Sequence, residues 1–373
     1  MTKLGDVLTI SANKSTHISD KNWLLNLDMV QQQTGKILAY NYVTANELCG
    51  SIIGFDNNVV LYSKLRPNLN KVVLPDKYGF CTSELLPLLP DSRQLNREYL
   101  AWFLRSDSFV NWAATKTAGA KMPRLGTKEL LSKEIPLPDL PTQQRIADTL
   151  DKVSEGIGLC RKMIGELEVM VQSRFNEVMD FAELSDETTV EKITERVKVG
   201  FVGTCEKYYT DETGIPMIRT GNITNHGIDM RNLKYVTSEF NKRNKKSQIH
   251  NGDLLIARHG SNGQANVYEG PEAQCLNAVV IVPNQTVAKS RFLAELINSP
   301  AIKEQINRTL VGSTQNVVNT KSIANLTIRI PSLKLQEEYE SYVEKIDKTK
   351  LTIQKILDKM ELEKLALMQE YFG

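Results

Sequence analysis

Two stretches of the chain carry apolar side chains at alternating spacings of four and three. In the first, Ile146, Leu150, Val153, Ile157, Cys160, Ile164, Leu167 and Val171 recur in this way, and Val178 resumes the register after a polar interruption at Arg174. In the second, Tyr339, Val343, Ile346, Lys350, Ile353, Leu357, Met360, Lys364, Leu367 and Tyr371 keep the same rhythm. Such an alternation places every member on one helical stripe, and a stripe that long asks for a partner helix. The two stripes are in phase at an offset of 193 residues, so each helix is the expected partner of the other. Lys350 and Lys364 are expected to lay their methylene stems over the seam, or to pin its register.

The same offset organises the rest of the chain. From about residue 97 onward, Tyr99-Leu100-Ala101 falls on Phe292-Leu293-Ala294, Gly119 on Gly312, Thr127-Lys128 on Thr320-Lys321, and Ile135 on Ile328. Pro138, Leu140 and Gln143 fall on Pro331, Leu333 and Gln336. Upstream the offset slips by one, and Leu61-Tyr62-Ser63-Lys64 meets Leu255-Ile256-Ala257-Arg258. The chain therefore reads as two copies of one unit, each a lobe ending in a long helix. The expected bounds are 1–141 and 185–332 for the lobes, and 142–184 and 333–373 for the helices. Thr142 is the expected N-cap of the first helix, after Pro136, Pro138 and Pro141. Within the lobes, Asn58–Lys64, Gly252–Arg258 and Gln274–Val282 read as strands. Arg97–Trp112 and Ser290–Arg308 read as helices that bury Trp102, Phe103 and Phe109 in the core. The fold class is mixed α/β (α+β), duplicated.

Composition narrows the function classes. There are 46 basic and 44 acidic residues, so net charge says little. The lobes hold the excess of lysine and arginine and the helices the excess of acid, which lets a polyanion meet the lobes only. Five cysteines, odd in number and never in CxxC spacing, argue against a zinc site or a disulfide framework and fit a reducing cytoplasm. No apolar run is long enough to span a bilayer, so a soluble, cytoplasmic protein without a membrane partner is expected. The sequence lacks a GxxxxGK[ST] phosphate loop, a methyltransferase Asn/Asp-Pro-Pro-aromatic motif, a Gly-rich dinucleotide turn and HExxH. His259, beside Arg258, reads as a loop histidine. A binding module without catalytic or metal-ligating residues is favoured.

Two lobes, each followed by a proline-entered helix with glutamine just inside it, resemble the specificity subunits of type I restriction-modification systems. The residues that carry the likeness are Ile135-Pro136-Leu137-Pro138 with Gln143-Gln144-Arg145-Ile146, and Ile328-Arg329-Ile330-Pro331 with Gln336-Glu337. Leu61-Tyr62-Ser63-Lys64-Leu65-Arg66-Pro67, Gly252–Arg258 and Gly312-Ser313-Thr314-Gln315 resemble recurrent lobe motifs of that family. The first lobe departs from the last motif, with Gly119-Ala120-Lys121-Met122 in its place. The resemblance implies target-recognition lobes in pseudo-twofold arrangement, separated by an antiparallel coiled coil. Each lobe would read half of a split duplex DNA target. The helices would space the halves and dock two methyltransferase subunits. S-adenosylmethionine would be used by those subunits, and ATP and Mg by restriction subunits joined through them, with no cofactor on this chain.

Loops after strands are then the DNA-facing candidates. In the first lobe these are Lys64, Arg66 and Lys71 around Asn68-Leu69-Asn70, with Lys121 and Arg124. In the second they are Lys242, Arg243, Lys245 and Lys246, interleaved with Asn241 and Asn244, then Arg258, Asn262 and Gln264, then Thr314, Gln315 and Asn316. Arginine pairs with guanine edges and amides with adenine edges, whereas phosphate contacts position without specifying. Taken singly, each charge reads as a solvated surface residue. A methyltransferase or nuclease of unfamiliar sequence and a coiled-coil scaffold without DNA remain as alternatives, and the resemblance favours the DNA reader.

Overall fold

The structure, a computed structural model, describes residues 1–11, 20–48, 50–119, 121–224, 227–258, 263–310 and 317–373. The chain divides into two compact units. Unit 1 is Met1–Met163 with Ile353–Gly373, and unit 2 is Ile164–Thr352. The long helices run Leu140–Ala182 and Leu333–Phe372, so each unit contains one lobe and a piece of both helices.

Both lobes have three layers. In unit 1 an inner antiparallel sheet has the order Leu8–Ile10, Leu85–Pro90, Val60–Ser63, Val72–Val73. Alternate residues of a strand point to opposite faces. Val60, Tyr62 and Leu88 accordingly join the core beneath the helices, while Leu61, Val73 and Leu85 face a second, outer sheet. The outer sheet has the order Asn41–Val43, Asn22–Leu25, Gly79–Thr82, Ile52–Phe55, with one parallel pair, Asn22–Leu25 beside Gly79–Thr82. Unit 2 repeats this plan. Its inner sheet is Thr194–Val199, Ala278–Pro283, Leu254–Ala257, Ala265–Val267, and its outer sheet again has one parallel pair, Ile215–Arg219 with Ala273–Leu276. Leu254 and Ile256 face the helices, and Leu255 and Ala257 face outward. A two-residue pairing closes each lobe, Thr2 with Ile135 and Thr188 with Ile328.

The helical seam forms as the spacing predicts. Ile146, Leu150, Ile157, Cys160, Val343, Ile353 and Leu357 are buried, and Val153, Ile164, Leu167, Val171, Ile346, Met360 and Leu367 are half-buried. The two helices pack antiparallel within each unit. In unit 1 a Cβ on Gly156 would meet the Met360 methyl at 2.2 Å, and Arg161 pairs with Glu361 at 2.6 Å. In unit 2 Lys350 pairs with Glu168, and the rings of Phe175 and Tyr339 are 5.9 Å apart. Lys350 thus makes an ion pair across the seam, whereas Lys364 sits 4.9 Å over the Trp102 ring. Each lobe core is completed by an aromatic from the helix that enters from the other repeat. Phe372 packs 5.2 Å from Tyr99, and Phe175 packs 5.4 Å from Phe292.

Three sequence expectations need correction. The long helix starts at Leu140, not after Thr142, because the Asp139 carboxylate accepts from the Thr142 amide at 3.1 Å and its carbonyl from the Gln143 amide at 3.0 Å. The strand expected over Gln274–Val282 is two strands, Ala273–Leu276 and Ala278–Pro283. Asn277, with φ of 55° in the left-handed region, turns the chain from the outer to the inner sheet. The helices expected over Arg97–Trp112 and Ser290–Arg308 are each broken in two. Ser106 and Ser299 leave helical geometry, and the Ser106 hydroxyl caps the second piece by accepting from Phe109. Trp102, Phe103 and Phe109 are buried core residues, as expected. Of the cysteines, Cys81, Cys160, Cys205 and Cys275 are buried and unbridged.

Candidate nucleic-acid interface

In lobe 1 the chain leaves the inner strand Val60–Ser63 through Lys64 and Arg66 and is stitched to two other loops. The Lys64 amide donates to the Glu84 carbonyl at 3.1 Å, and the Leu125 amide donates to the Lys64 carbonyl at 2.9 Å. The Arg66 amide donates to Pro123 at 2.8 Å, and Arg66 itself is left-handed, with φ of 49°. Lys121 lies in the turn of the hairpin Thr117–Ala118/Arg124–Leu125, where Gly119 takes φ of 99° and so is a turn glycine. The fold therefore gathers Lys64, Arg66, Lys121 and Arg124 at one edge. Arg66 and Lys121 are exposed there, but the Arg124 guanidinium grips the Glu84 carboxylate with bonds of 3.0 and 3.1 Å.

Two expected contacts of lobe 1 turn inward instead. The Lys71 ammonium donates to the Leu27 carbonyl, and burial holds its pKa below the ordinary lysine value. Asn70 is buried, and its amide donates to the Arg105 carbonyl at 3.0 Å. Both hold the loop through these bonds, with Asn70 buried and Lys71 half-buried.

Lobe 2 builds the equivalent edge with the arginine on the opposite strand. Arg258 is half-buried, donates to the Asn277 side chain at 3.0 Å and to the Val318 carbonyl at 3.3 Å, and accepts from the Val318 amide at 3.1 Å. Asn277 occupies the place of Glu84. In both lobes one arginine pins this crossing, and in neither is that guanidinium unengaged. Gln264 is half-buried, beside Gly263, whose φ is 69°. His259 and Asn262, and Gly312, Thr314, Gln315 and Asn316, lie outside the described residues.

The basic run of lobe 2 sits elsewhere. Lys242 and Arg243 end the helix Ser238–Arg243, and Lys245 and Lys246 continue in a tight 3-10 turn, all four exposed. Arg243 is paired with Glu239 at 2.6 Å. The interleaved amides are internal. Asn241 is buried, accepts from Gln274 at 2.6 Å and donates to Glu272 at 2.6 Å, and the Asn244 amide donates to the Phe240 carbonyl. This network fastens the basic turn to the start of the strand Ala273–Leu276, whereas Arg258 grips the residue just past its end. The basic turn and Arg258 are thus anchored at opposite ends of the same strand.

One cluster escaped the sequence reading. Lys77 lies 3.9 Å over the Tyr40 ring and 5.4 Å from that of Tyr42, donates a hydrogen bond to the Tyr42 hydroxyl at 2.7 Å, and is backed by buried Trp23, whose ring is 5.0 Å from Tyr40. The Tyr40 and Tyr42 rings are exposed. The alternation at Tyr40 and Tyr42 signals one strand face, but nothing local ties it to Lys77. The cluster stands at the start of Gly79–Thr82, the position that carries the basic turn in lobe 2.

Among the described residues no three or more His, Cys, Asp or Glu side chains are placed to hold a metal ion, and no helix is long and apolar enough to cross a membrane. Residues 1–169 and 187–363 each match the family model for the type I restriction modification DNA specificity domain, and the chain belongs to that family. Among curated relatives, the EcoBI specificity subunit of Escherichia coli is 20% identical over 260 residues, covering 62% of this chain and 55% of the relative. The MjaVIII specificity subunit of Methanocaldococcus jannaschii is 22% identical over 294 residues, covering 73% and 68%. The EcoDI specificity subunit of Escherichia coli is 25% identical over 133 residues, and the chain spans only 29% of its length. The fold matches the crystal structure of the type I S subunit from M. genitalium, with a TM-score of 0.65 at 14% identity over 100% of this chain and 95% of that one. It also matches a chain from work on complex assembly and conformational transition of the type I R-M system, with a TM-score of 0.59 at 15% identity, covering 100% and 96%.

Proposed function

We propose that this chain is the non-catalytic DNA-reading subunit of a type I restriction-modification complex, in which each lobe reads one half of a split duplex target. The observation that carries this reading is the duplication itself: the same three-layer lobe, with cations at the same crossing, occurs twice on an antiparallel helix pair. Two copies of a reader joined by a stiff spacer suit two half-sites at fixed separation. Exposed Arg66, Lys121, Lys245 and Lys246 supply phosphate contacts, and the loops pinned by Arg124 and Arg258 present base-reading groups. Methyltransferase subunits dock on the helices and supply the chemistry with S-adenosylmethionine, and restriction subunits join through them. Leu159 and Leu362 on the unit 1 helices are 58% and 68% exposed, and Val169 on unit 2 is 69% exposed. Large side chains so exposed on helix faces suit a protein partner.

The test is methylation mapping in cells with and without this chain. Adenine methylation at a two-part motif with a fixed gap should vanish without it, and the purified chain alone should transfer no methyl group from S-adenosylmethionine to DNA. Methyl transfer by the chain alone would make it an enzyme instead. Unchanged methylation in its absence would leave the scaffold reading.

A further inference from the structure

Gln143 and Gln336 occupy the same place in the first turn of the two long helices, and both are 0% exposed. The Gln143 carbonyl oxygen accepts from the Asn96 amide at 2.8 Å, and its amide nitrogen donates to the carbonyls of Gln94 at 2.9 Å and Pro138 at 2.8 Å. Gln336 repeats all three contacts 193 residues later. It accepts from the Lys289 amide at 2.9 Å and donates to Val287 at 3.0 Å and Pro331 at 2.9 Å. One side chain thus ties together the helix, the segment that leaves the lobe, and the connection that begins the lobe's own helices.

The neighbours of this clamp are not kept between the copies. Asn96 bonded to Gln144 at 2.8 Å becomes Lys289 paired with Glu337 at 2.9 Å. Trp102 donating to Asp151 at 3.0 Å is replaced at the same positions by Glu295 and Glu344. The polar seat has been rebuilt around the glutamine while the glutamine stayed. Its chemistry explains why. The three backbone targets require one acceptor and two donors on a side chain of this length, which an amide supplies, whereas an ionised glutamate only accepts and a lysine only donates. Apolar contacts between lobe and helix are non-directional and permit small rotations. Hydrogen bonds weaken steeply off axis and do not.

We infer that Gln143 and Gln336 are positioning residues that set the angle at which each lobe leaves its helix, and so narrow the range of gap lengths between half-sites that the complex accepts. This rests on the two-lobe DNA-reading function proposed above. The lobes touch the bases, and the glutamines act through the lobes.

The test uses the full chain in complex with its co-purifying methyltransferase subunits. The probes are duplexes carrying the motif selected by the wild-type complex, with the gap at its preferred length or changed by one base pair. Gln143→Met and Gln336→Met should keep the half-site bases but lose discrimination against the wrong gap by about tenfold, a fraction of the net worth of the three hydrogen bonds each variant removes. Gln143→Glu should behave likewise at pH 8 and recover in part, with one of the two donors restored, as the pH falls toward about 6. Burial raises the carboxyl pKa, and the protonated form again offers both a donor and an acceptor. Wild-type discrimination should stay flat over that range. A uniform loss of affinity or melting temperature, with the preference between gap lengths intact and no recovery of Gln143→Glu at low pH, would overturn the inference. Should the methionine variants fail to fold, the pH series of Gln143→Glu alone separates the two outcomes. A wild-type complex that selects no two-part motif would sink the underlying function instead, a result visible before any variant is made.

Discussion

The two lobes agree strand for strand in their inner sheets, yet among the described residues they differ at several side chains of the exposed edge. The Lys64 ladder to Leu125 recurs as Arg258 to Val318. The pinning arginine changes strands, from Arg124 on Glu84 in lobe 1 to Arg258 on Asn277 in lobe 2. At the start of the parallel outer strand, lobe 1 presents the Tyr40–Tyr42–Lys77 cluster and lobe 2 the exposed lysines Lys245 and Lys246. Inner-sheet residues are bounded on both faces by core, so their volume and polarity are constrained together. Edge residues answer only to what they meet. Matching inner sheets with divergent edges suit the proposal of two readers for two different half-sites.

The largest expected effects lie in the two lobe cores. Phe372→Ala and Phe175→Ala each remove an aromatic that completes one lobe, and each should cost about 3–5 kcal/mol. Amide exchange should show the loosening confined to unit 1 for Phe372→Ala and to unit 2 for Phe175→Ala. Equal loosening in both units would mean that they do not hold together separately. Ile157→Asp, at a buried seam position, should cost about 3 kcal/mol or force the carboxyl to protonate. Its amide-exchange signature should centre on the helix pair of unit 1.

Smaller effects belong to the edges. Replacing Lys245 and Lys246 by alanine should weaken binding to every duplex and reduce the slope of log affinity against log salt by about two. A changed base preference at constant affinity would show that these lysines read sequence. Arg124→Ala and Arg258→Ala each free a loop proposed to present base-reading groups, and should each relax base discrimination by about 1 kcal/mol, only in the half-site of the lobe that carries the change. Competition binding with duplexes altered in one half at a time measures this, and relaxation in both halves would deny independent reading. Least of all, Lys289→Ala should lower stability by about 0.5 kcal/mol in a denaturant titration at low salt and by less at high salt, because its carboxylate partner is largely exposed.

Much of the scaffold was legible because it is periodic. The seam from Ile146 to Leu367 follows from four–three spacing alone, and the offset of 193 residues carries Ile135 onto Ile328, although their strand partners Thr2 and Thr188 lie 186 residues apart, outside that register. The breaks at Ser106 and Asn277 were not legible. A single capping hydroxyl or left-handed residue interrupts an apolar run without changing its pattern. The interface was read less well for a related reason. Composition shows that Lys71, Asn70, Asn241 and Arg258 are polar and near glycine or proline, but not that a carbonyl or carboxylate from another loop already engages them. The Gln143 clamp was visible as a repeated residue, and its role needed the backbone of Gln94–Asn96 beside it.

The central claim, that each lobe reads its own half of one split target, is tested most directly by selection from randomised duplexes. The wild-type complex and its Arg124→Ala and Arg258→Ala variants would be compared. The account predicts a motif of two halves separated by an unspecified gap of fixed length, with Arg124→Ala degrading one half and Arg258→Ala the other. A single uninterrupted motif, or two variants that degrade the same bases, would contradict it.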